Sequence, residues 1–364
     1  MVLERIGVWG KKNFFQEAFL PPDLKVIMYI LGMESSCDET SAAVVEMGEG
    51  VRAIRSNIVA SQIETHRLYG GVVPEIASRA HIEAISRITY EALDVAGITV
   101  DQLGAVAVTA FPGLIGALLV GVNFAKSLAY SRLIPLVAVN HIHGHVAAAY
   151  LSHPTLEPPF LALVVSGGHT SIYRVESYTD FFEIGGTRDD AAGEAFDKIG
   201  RVIGLPYPGG AALDRLAYEG DPKAIALPSP ALAGETLDFS FSGIKTATLN
   251  YLNGMTQRGE TINRADVAAS YTHQIVSAIV KKTEQALTQT GMKTLVLAGG
   301  VAANSHLRAA LETMCDRCGV TLAMPDRALC GDNGAMIAAA GYFQYQRGAF
   351  ANTSLNASAN DDGT

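Results

Sequence analysis

Cysteine is scarce. Cys37, Cys315, Cys318 and Cys330 are four residues in a chain of 364, too few for a disulfide scaffold. Cys315 and Cys318 make one C-x-x-C, in "ETMCDRCGV", but a zinc ribbon needs a second pair. A reducing compartment is the simpler expectation. Charge is sparse as well, and its balance is acidic: 27 Lys and Arg against 36 Asp and Glu, a net charge of -9. Broad, non-specific attraction to nucleic acid needs the opposite sign and is excluded, while a local basic patch stays open. The first residues lack the apolar core and small-residue cleavage site of a signal peptide. Glu4, Glu17 and Asp23 weigh against a transit peptide, so residues 1–27 are expected to be an extension or the product of a start placed before Met28.

One uncharged run, Gly104 to Ala125, is long enough to raise a membrane span. Pro112-Gly113 divides it into "AVAVTA", with the character of a buried strand, and "LIGALLVGVNFAKSLAY", with that of a helix. Strand, turn and helix are therefore expected, and no membrane segment.

What the chain does have is glycine, 36 residues, among apolar segments that bring the hydrophobic content to 49%. Together they predict an α/β protein of two domains with substantial cores and many tight strand-to-helix turns. "YILGMESSCDETSAAVVEM" and "FLALVVSGGHTSIYRVE" each read as strand, turn, strand, which suggests an internal duplication. "EIASRAHIEAISRITYEALDVAG" has helical spacing and stops at Gly97. A further helix is expected over about 264–289 and another in "CGDNGAMIAAAGYFQYQ". The polar residues 347–364 are expected to fray.

Three histidines alternate in "NHIHGH". On a helix His141 and His145 share a face, whereas an extended backbone would align His141, His143 and His145. Both geometries allow a metal. A zinc protease of the H-E-x-x-H kind is disfavoured, because Ile142 stands where the general base belongs. Asp332, in "GDNG" before an apolar helix, is a candidate third ligand, or simply a helix cap. Small residues and backbone N–H groups in both hairpin turns suit phosphate oxygens. Asp189, Asp190, Glu194 and Asp197 form an acidic helix start, and Asp197 has the chemistry to bind ribose hydroxyls. Pro208 to Gly210 permits close backbone approach to a ligand.

The series "GMESSCDETSAAVV", "YGGVVPEIASRAH", "NHIHGH", "LVVSGGHT", "DDAAGEAFDKIGR", "YPGG", "FSFSGIKTA", "LAGGVAAN" and "CGDNGAMIA" runs in order from Met28 to about Gly341. It closely resembles the TsaD family, tRNA threonylcarbamoyladenosine transferases once described as glycoproteases. The resemblance implies a two-lobed actin-like fold of the ASKHA class (sugar kinases and Hsp70), with duplicated RNase H-like domains and an interlobe cleft. It implies an N-terminal lobe over 28–140 completed by a helix at about 330–346, and a C-terminal lobe over 141–329. Metal ligands fall on His141, His145 and Asp332, with Fe2+ favoured and Zn2+ or Mg2+ as alternatives. Substrate positions fall on Val164, Val165, Ser166, Gly167, Gly168, Asp197, Gly210 and Asn304. Glu34 and Asp38 match the acids of the first turn and are candidate catalytic groups. His143 departs from the family, many members of which have Glu there.

The implied reaction carries threonylcarbamoyl from threonylcarbamoyl-AMP to N6 of the adenosine following the anticodon, in tRNAs reading codons that begin with A. AMP is released. Implied partners are tRNA, a TsaB-like paralogue and a TsaE-like ATPase, and a cytoplasmic location follows. The rival readings are a metal-dependent protease, an actin-like ATPase and a non-catalytic scaffold; a pure scaffold has no need of the His141, His145 and Asp332 set.

Overall fold

The computed structural model describes residues 27–230, 232 and 236–360. All of the expected N-terminal extension except Ile27 lies outside these residues. In chain order the first strands are β1 Met28–Glu34, β2 Glu39–Gly48, β3 Val51–Ser61, β4 Leu103–Phe111 and β5 Leu136–Asn140. Then follow β6 Phe160–Val165, β7 Thr170–Val175, β8 Phe181–Gly186, β9 Thr294–Ala298 and β10 Thr321–Ala323. The longer helices are α1 Pro74–Ala96, α2 Ile115–Arg132, α3 His141–Ser152, α4 Ala192–Val202 and α5 Gly209–Leu216. They continue with α6 Ser242–Gln257, α7 Arg264–Thr290, α8 Ser305–Cys318 and α9 Gly334–Gln346.

These elements divide into two compact units. Of the described residues, the first takes 27–62, Val72–Thr155 and 332–360; the second takes Ile63–Gly71 and those from Leu156 to Gly331. The boundaries differ from those the sequence suggested. α3 stays with the first unit because it continues directly from β5 and buries Ile142, Val146 and Ala149 there. The division therefore falls at Thr155/Leu156 and not before His141.

Each unit is built on a five-stranded sheet, and the two sheets correspond strand for strand. The first has the order β3-β2-β1-β4-β5 and the second, read in the same sense, β8-β7-β6-β9-β10. In both, the three strands of the opening meander pair antiparallel and the last two join in parallel. The uncharged run resolves into β4 and α2 as expected. Among the described residues no helix is long and apolar enough to cross a membrane.

In the first unit, α1 and α2 cover one face of the sheet. α1 begins with Pro74 at its first turn and ends at Gly97, whose left-handed φ of 68° closes the helix. Between them Ala77, His81, Ile85, Ile88 and Ala92 recur at helical spacing and are buried, and Ile85, Ile88 and Ala92 join Leu31, Met33, Val44, Val106 and Val108 in one core. On the other face, α9 approaches β1 closely because two glycines meet. A Cβ at Gly32 would lie 2.1 Å from the Gly334 carbonyl oxygen, and one at Gly334 would lie 2.6 Å from the Ala43 nitrogen. The Gly334 N–H donates to Ser41 Oγ at 2.8 Å, and the Asn333 side chain accepts from Met336 N at 3.0 Å. This approach fixes the start of α9, and with it Asp332.

The tail packs more than expected. Ala351 N donates to Leu136 O at 2.8 Å, Ser358 N donates to Ala110 O at 2.9 Å, and Leu355 and Ala357 lie against the core. The segment partly covers β5, whose outer edge would otherwise present unpaired backbone groups.

The second unit has its own core. Leu161, Leu163, Val165, Leu295 and Leu297 from its sheet pack with Phe196, Phe241, Tyr271, Ile275 and Leu311 from helices and the "FSFSG" segment.

Candidate metal centre and ligand-binding turns

β5 ends at Asn140, and its side chain caps α3 by accepting from Ile142 N at 2.7 Å and His143 N at 3.2 Å. The helix thus starts at His141 itself. His141 and His145, four residues apart, share one face with ring centroids 4.6 Å apart. The extended alternative, which would have aligned His143 with them, is not what forms. Asp332 arrives from the far end of the chain on the lead-in to α9. Its Oδ1 lies 3.2 Å from His145 Nε2 and 3.6 Å from His141 Nε2.

One ligand atom from each residue lies within 4.8 Å of the others. Both histidines are buried, and His145 is 1% exposed with neither ring nitrogen in a hydrogen bond. A buried imidazole with two unsatisfied nitrogens is costly unless something else occupies a lone pair. Two imidazoles and a carboxylate suit Fe2+ or Zn2+ and leave positions for substrate oxygens. The residues therefore fit a divalent cation.

Acids surround this triad, and sequence reasoning treated them too uniformly. Glu34 is 1% exposed at the end of β1. It accepts from Ser36 N at 2.5 Å, Thr109 Oγ1 at 2.6 Å and His141 Nδ1 at 3.0 Å. Burial alone would raise its carboxyl, but the charge and hydrogen bond of His141, and then Thr109, outweigh burial and hold it below the usual value. Glu39 was not singled out from the sequence. Burial, then the charges of Asp332 and Asp38, push its carboxyl up to about 9. Three acids on one short stretch and one on a distant segment thus form a patch that a cation would relieve. The signal for Glu39 was present in "CDET", where two consecutive acids follow the turn.

The turn itself is held from α1. His81 is fully buried, with Nδ1 2.7 Å from Thr40 Oγ1 and Nε2 2.9 Å from the Cys37 carbonyl oxygen. The histidine in "SRAH" is therefore a fastener of the loop that carries Asp38.

The second unit places the other expected residues in two groups. Val164 and Val165 are fully buried strand residues, so only their backbone is available to a ligand. Past them the chain turns through Ser166, whose Oγ accepts from His169 N at 3.1 Å while its N–H donates to His169 O at 2.8 Å. Gly167 and Gly168 are exposed, and a Cβ at either would meet nothing within 4 Å. Gly299, at φ 93°, passes beneath, where a Cβ would lie 2.4 Å from Val165 O.

Asp197 Oδ1 accepts from Gly210 N at 2.8 Å, which joins α4 to the start of α5. Asn304 caps α8 by accepting from Leu307 N at 2.8 Å. Asp214, which the sequence did not single out, links these two groups. It accepts from Ser305 N and Ser305 Oγ and lies 2.8 Å from His306 Nδ1. Of the acidic helix start, Asp189 accepts from Phe241 N, Ser242 N and both flanking serine hydroxyls. Asp190 pairs with Lys198 and Lys245. These two acids fasten α6 to the loop before α4.

Cys315 is buried and Cys318 exposed on α8. Among the described residues, the only cluster of three or more potential metal ligands is His141, His145 and Asp332.

The paired sheets and the buried histidine–carboxylate set define an actin-like α/β protein with a candidate metal centre. Solved structures agree on the fold. HypF in its phosphate- and nucleotide-bound form matches 89% of this chain with a TM-score of 0.59 at 15% identity, the match spanning 47% of HypF. Component A of the (R)-2-hydroxyglutaryl-CoA dehydratase of Acidaminococcus fermentans matches 88% of this chain and 99% of its own, with a TM-score of 0.52 at 16% identity. Sequence gives the family. The family model for TsaD, tRNA N6-adenosine threonylcarbamoyltransferase, matches residues 53–339. A protein of that name from Clostridium botulinum strain 657 is 52% identical over 92% of this chain and 97% of its own. One from Clostridium perfringens strain ATCC 13124 is 52% identical over 91% and 97%. The chain belongs to the TsaD family, and is by that membership a transferase.

Proposed function

We propose that this protein transfers a threonylcarbamoyl group from threonylcarbamoyl-AMP to N6 of the adenosine following the anticodon, in tRNAs reading codons that begin with A, and releases AMP. The observation that carries the reading is the coincidence of the family match with a buried His141, His145 and Asp332 set whose donors fit a divalent cation.

The chemistry explains why such a site is needed. The adenine amino group is a poor nucleophile because its lone pair is delocalised into the ring, so the acyl donor has to be activated and held. A divalent cation, Fe2+ in this reading, would supply positive charge to orient the adenylate and offset charge developing in the transition state. His141, His145 and Asp332 would hold it. The Ser166–Gly168 turn would offer backbone N–H groups to acyl or phosphate oxygens, since its glycines are open to close approach. Asp197 would accept hydrogen bonds from the ribose, with Gly210 and Asn304 beside the nucleotide. Asp38 would face the substrate with the first turn. A TsaB-like paralogue and a TsaE-like ATPase would act with the chain in the cytoplasm, which fits an acidic protein that shares tRNA binding.

The test is mass spectrometry of nucleosides from an unmodified, A-codon-reading tRNA incubated with threonylcarbamoyl-AMP, the partners and either wild type or His145→Ala. Threonylcarbamoyladenosine from wild type, reduced at least about 100-fold in the variant, is expected if the metal carries a large part of the stabilisation. Equal product from both would remove the metal from the reaction. Product from neither, with partners proven on another TsaD, would overturn the transferase reading.

A further inference from the structure

Although the chain carries a net charge of -9, one part of the second unit gathers cations. Arginines from three separate segments meet around the turn between α4 and α5. Arg67, on the Ile63–Gly71 segment, donates from Nε to Tyr207 O at 3.2 Å. Arg264, at the start of α7, donates from Nη2 to Gly204 O at 3.1 Å. Arg201, in the last turn of α4, has Nη1 3.5 Å from Gly70 O. Gly204 and Tyr207 are three residues apart, so their Cα atoms are separated by at most about 11 Å. All three arginines are exposed. Arg67 also pairs with Glu64 at 2.9 Å, itself a surface side chain. Arg201 and Arg264 each make one contact, to a carbonyl, and no ion pair among the described residues. A guanidinium has five N–H donors, so most of theirs remain uncommitted there.

The loop that delivers Arg67 holds its tip outward. His66 is fully buried, and its carbonyl oxygen accepts from Tyr69 N at 3.0 Å and Gly71 N at 3.3 Å, while Gly70 turns at φ 71°. A Cβ on Gly70 would lie 3.1 Å from Arg201 Cζ, so the bare backbone lets that guanidinium lie against the loop. At the tip Leu68 is 82% and Tyr69 57% exposed. Guanidinium groups for phosphates beside an open aromatic ring for an unstacked base are the means by which proteins hold single-stranded RNA loops. The cluster also adjoins the Asp197–Gly210 contact, since Tyr207 precedes Gly210 by three residues. An RNA loop gripped here is brought to the residues assigned to the nucleotide, which an acidic protein partner would have no need to approach.

We propose that Arg67, Arg201 and Arg264 bind phosphates of the tRNA anticodon loop, with Tyr69 as a stacking platform for one of its bases. The inference rests on the transferase reading and adds where its tRNA is held. Phosphate contacts position an RNA without reading its sequence, so the cluster serves all the A-codon-reading tRNAs alike.

The experiment measures the Kd of labelled, unmodified tRNA at stepped KCl for the full chain assembled with its partners, and product formation by the same samples. Wild type is compared with Arg201→Gln/Arg264→Gln, Arg201→Lys/Arg264→Lys and Tyr69→Ala, each with a thermal melt. The four substituted positions lie on the surface, where such changes leave folding within about 0.5 kcal/mol. The Gln pair should weaken binding roughly 10-fold and make the dependence of log Kd on log salt shallower by about 1.4, from two contacts at about 0.7 each on a single strand. The Lys pair keeps both charges and should keep the wild-type slope. Tyr69→Ala should weaken binding about 10-fold at an unchanged slope. Wild-type Kd and slope in the Gln pair, with product still formed by wild type, would overturn the cluster and leave the transferase reading standing. Unchanged tRNA binding with loss of a protein partner from the assembly would overturn it too, by making the arginines a protein interface. No product from wild type, with partners proven on another TsaD, would overturn the transferase reading and this proposal with it.

Discussion

The turn between β1 and β2 and the turn between β6 and β7 occupy the same place in two sheets of the same topology, yet they are built in opposite ways. The first is packed. Ser35 and Ser36 are 1% and 2% exposed, Ser35 Oγ donates to Ala117 O at 3.0 Å, and Ser36 O accepts from Leu114 N at 2.8 Å. A Cβ on Gly113 would lie 2.7 Å from the Ser36 carbonyl oxygen. The second is open on its outer side, where a Cβ on Gly167 or Gly168 would meet nothing within 4 Å. The duplicated scaffold thus packs side chains around one turn, beside the candidate metal set, and leaves two glycines exposed at the other. Filling the space around a turn makes its side chains rigid and its backbone inaccessible; leaving it empty does the reverse.

Substitutions can break this contrast. The largest structural effect is expected in the packed unit, from Gly32→Ala. Its Cβ would meet backbone atoms of Gly334 and Ala338 within 2.4 Å, which cannot swing aside as a side chain could. A loss of about 3 kcal/mol in urea unfolding is expected, together with weakened zinc binding, because Asp332 rides on the displaced start of α9. Full stability and wild-type zinc affinity would show that the glycine contact does not position the triad.

A smaller effect is expected from acid, in the second unit. Hydrogen bonds from Ser240, Ser242 and their neighbours outweigh partial burial at Asp189, and those from Lys245 and Lys198 do the same at Asp190, so both carboxyls lie below the usual value. Asp238 is lowered likewise, burial being outweighed by Gly186 N–H and Arg188. Because the folded values are depressed, these groups contribute stability above the unfolded value of 3.8 and lose it as pH falls through the lower folded values. Solvent screens the pairs, so each is worth no more than about 1 kcal/mol. Asp190→Asn should flatten the fall in stability of the whole protein below about pH 4, as followed by urea melts at stepped pH. An unchanged slope would remove Asp190 from the account.

The smallest structural effect is expected at the open turn. Gly168→Ala should change stability by less than about 0.5 kcal/mol, since nothing lies within 4 Å of the added carbon. KM for threonylcarbamoyl-AMP should nevertheless rise while the melt stays put. A large loss of stability would mean that the second turn is packed as tightly as the first.

Much of this was legible in the chain. The spacing of His141 and His145 allowed a shared helical face but left an extended alternative open, and the Asn140 cap found in the structure decides for the helix. Pro74 and Gly97 bracket α1 for local reasons. The two hairpins disclosed the duplication, although β3 and β8, which complete each meander, were not foreseen. Residues 347–364 looked like a fraying tail because their composition is polar, but the few apolar ones, Leu355 and Ala357, find a core that only the fold provides.

By itself the sequence determined most of the element types and, through its motif order, the family and with it the candidate triad, because periodicity and motif order are properties of neighbouring residues. Only the tertiary structure decided which acid does what. Glu34, Asp38 and Glu39 lie within six positions of one another and look alike as letters. Against burial, the charge and hydrogen bond of His141 lower the first, whereas burial and then the charges of Asp332 and Asp38 raise the last. That difference comes from partners brought in from strands and helices far along the chain, since a carboxylate's role is set by its dielectric surroundings and the donors that reach it.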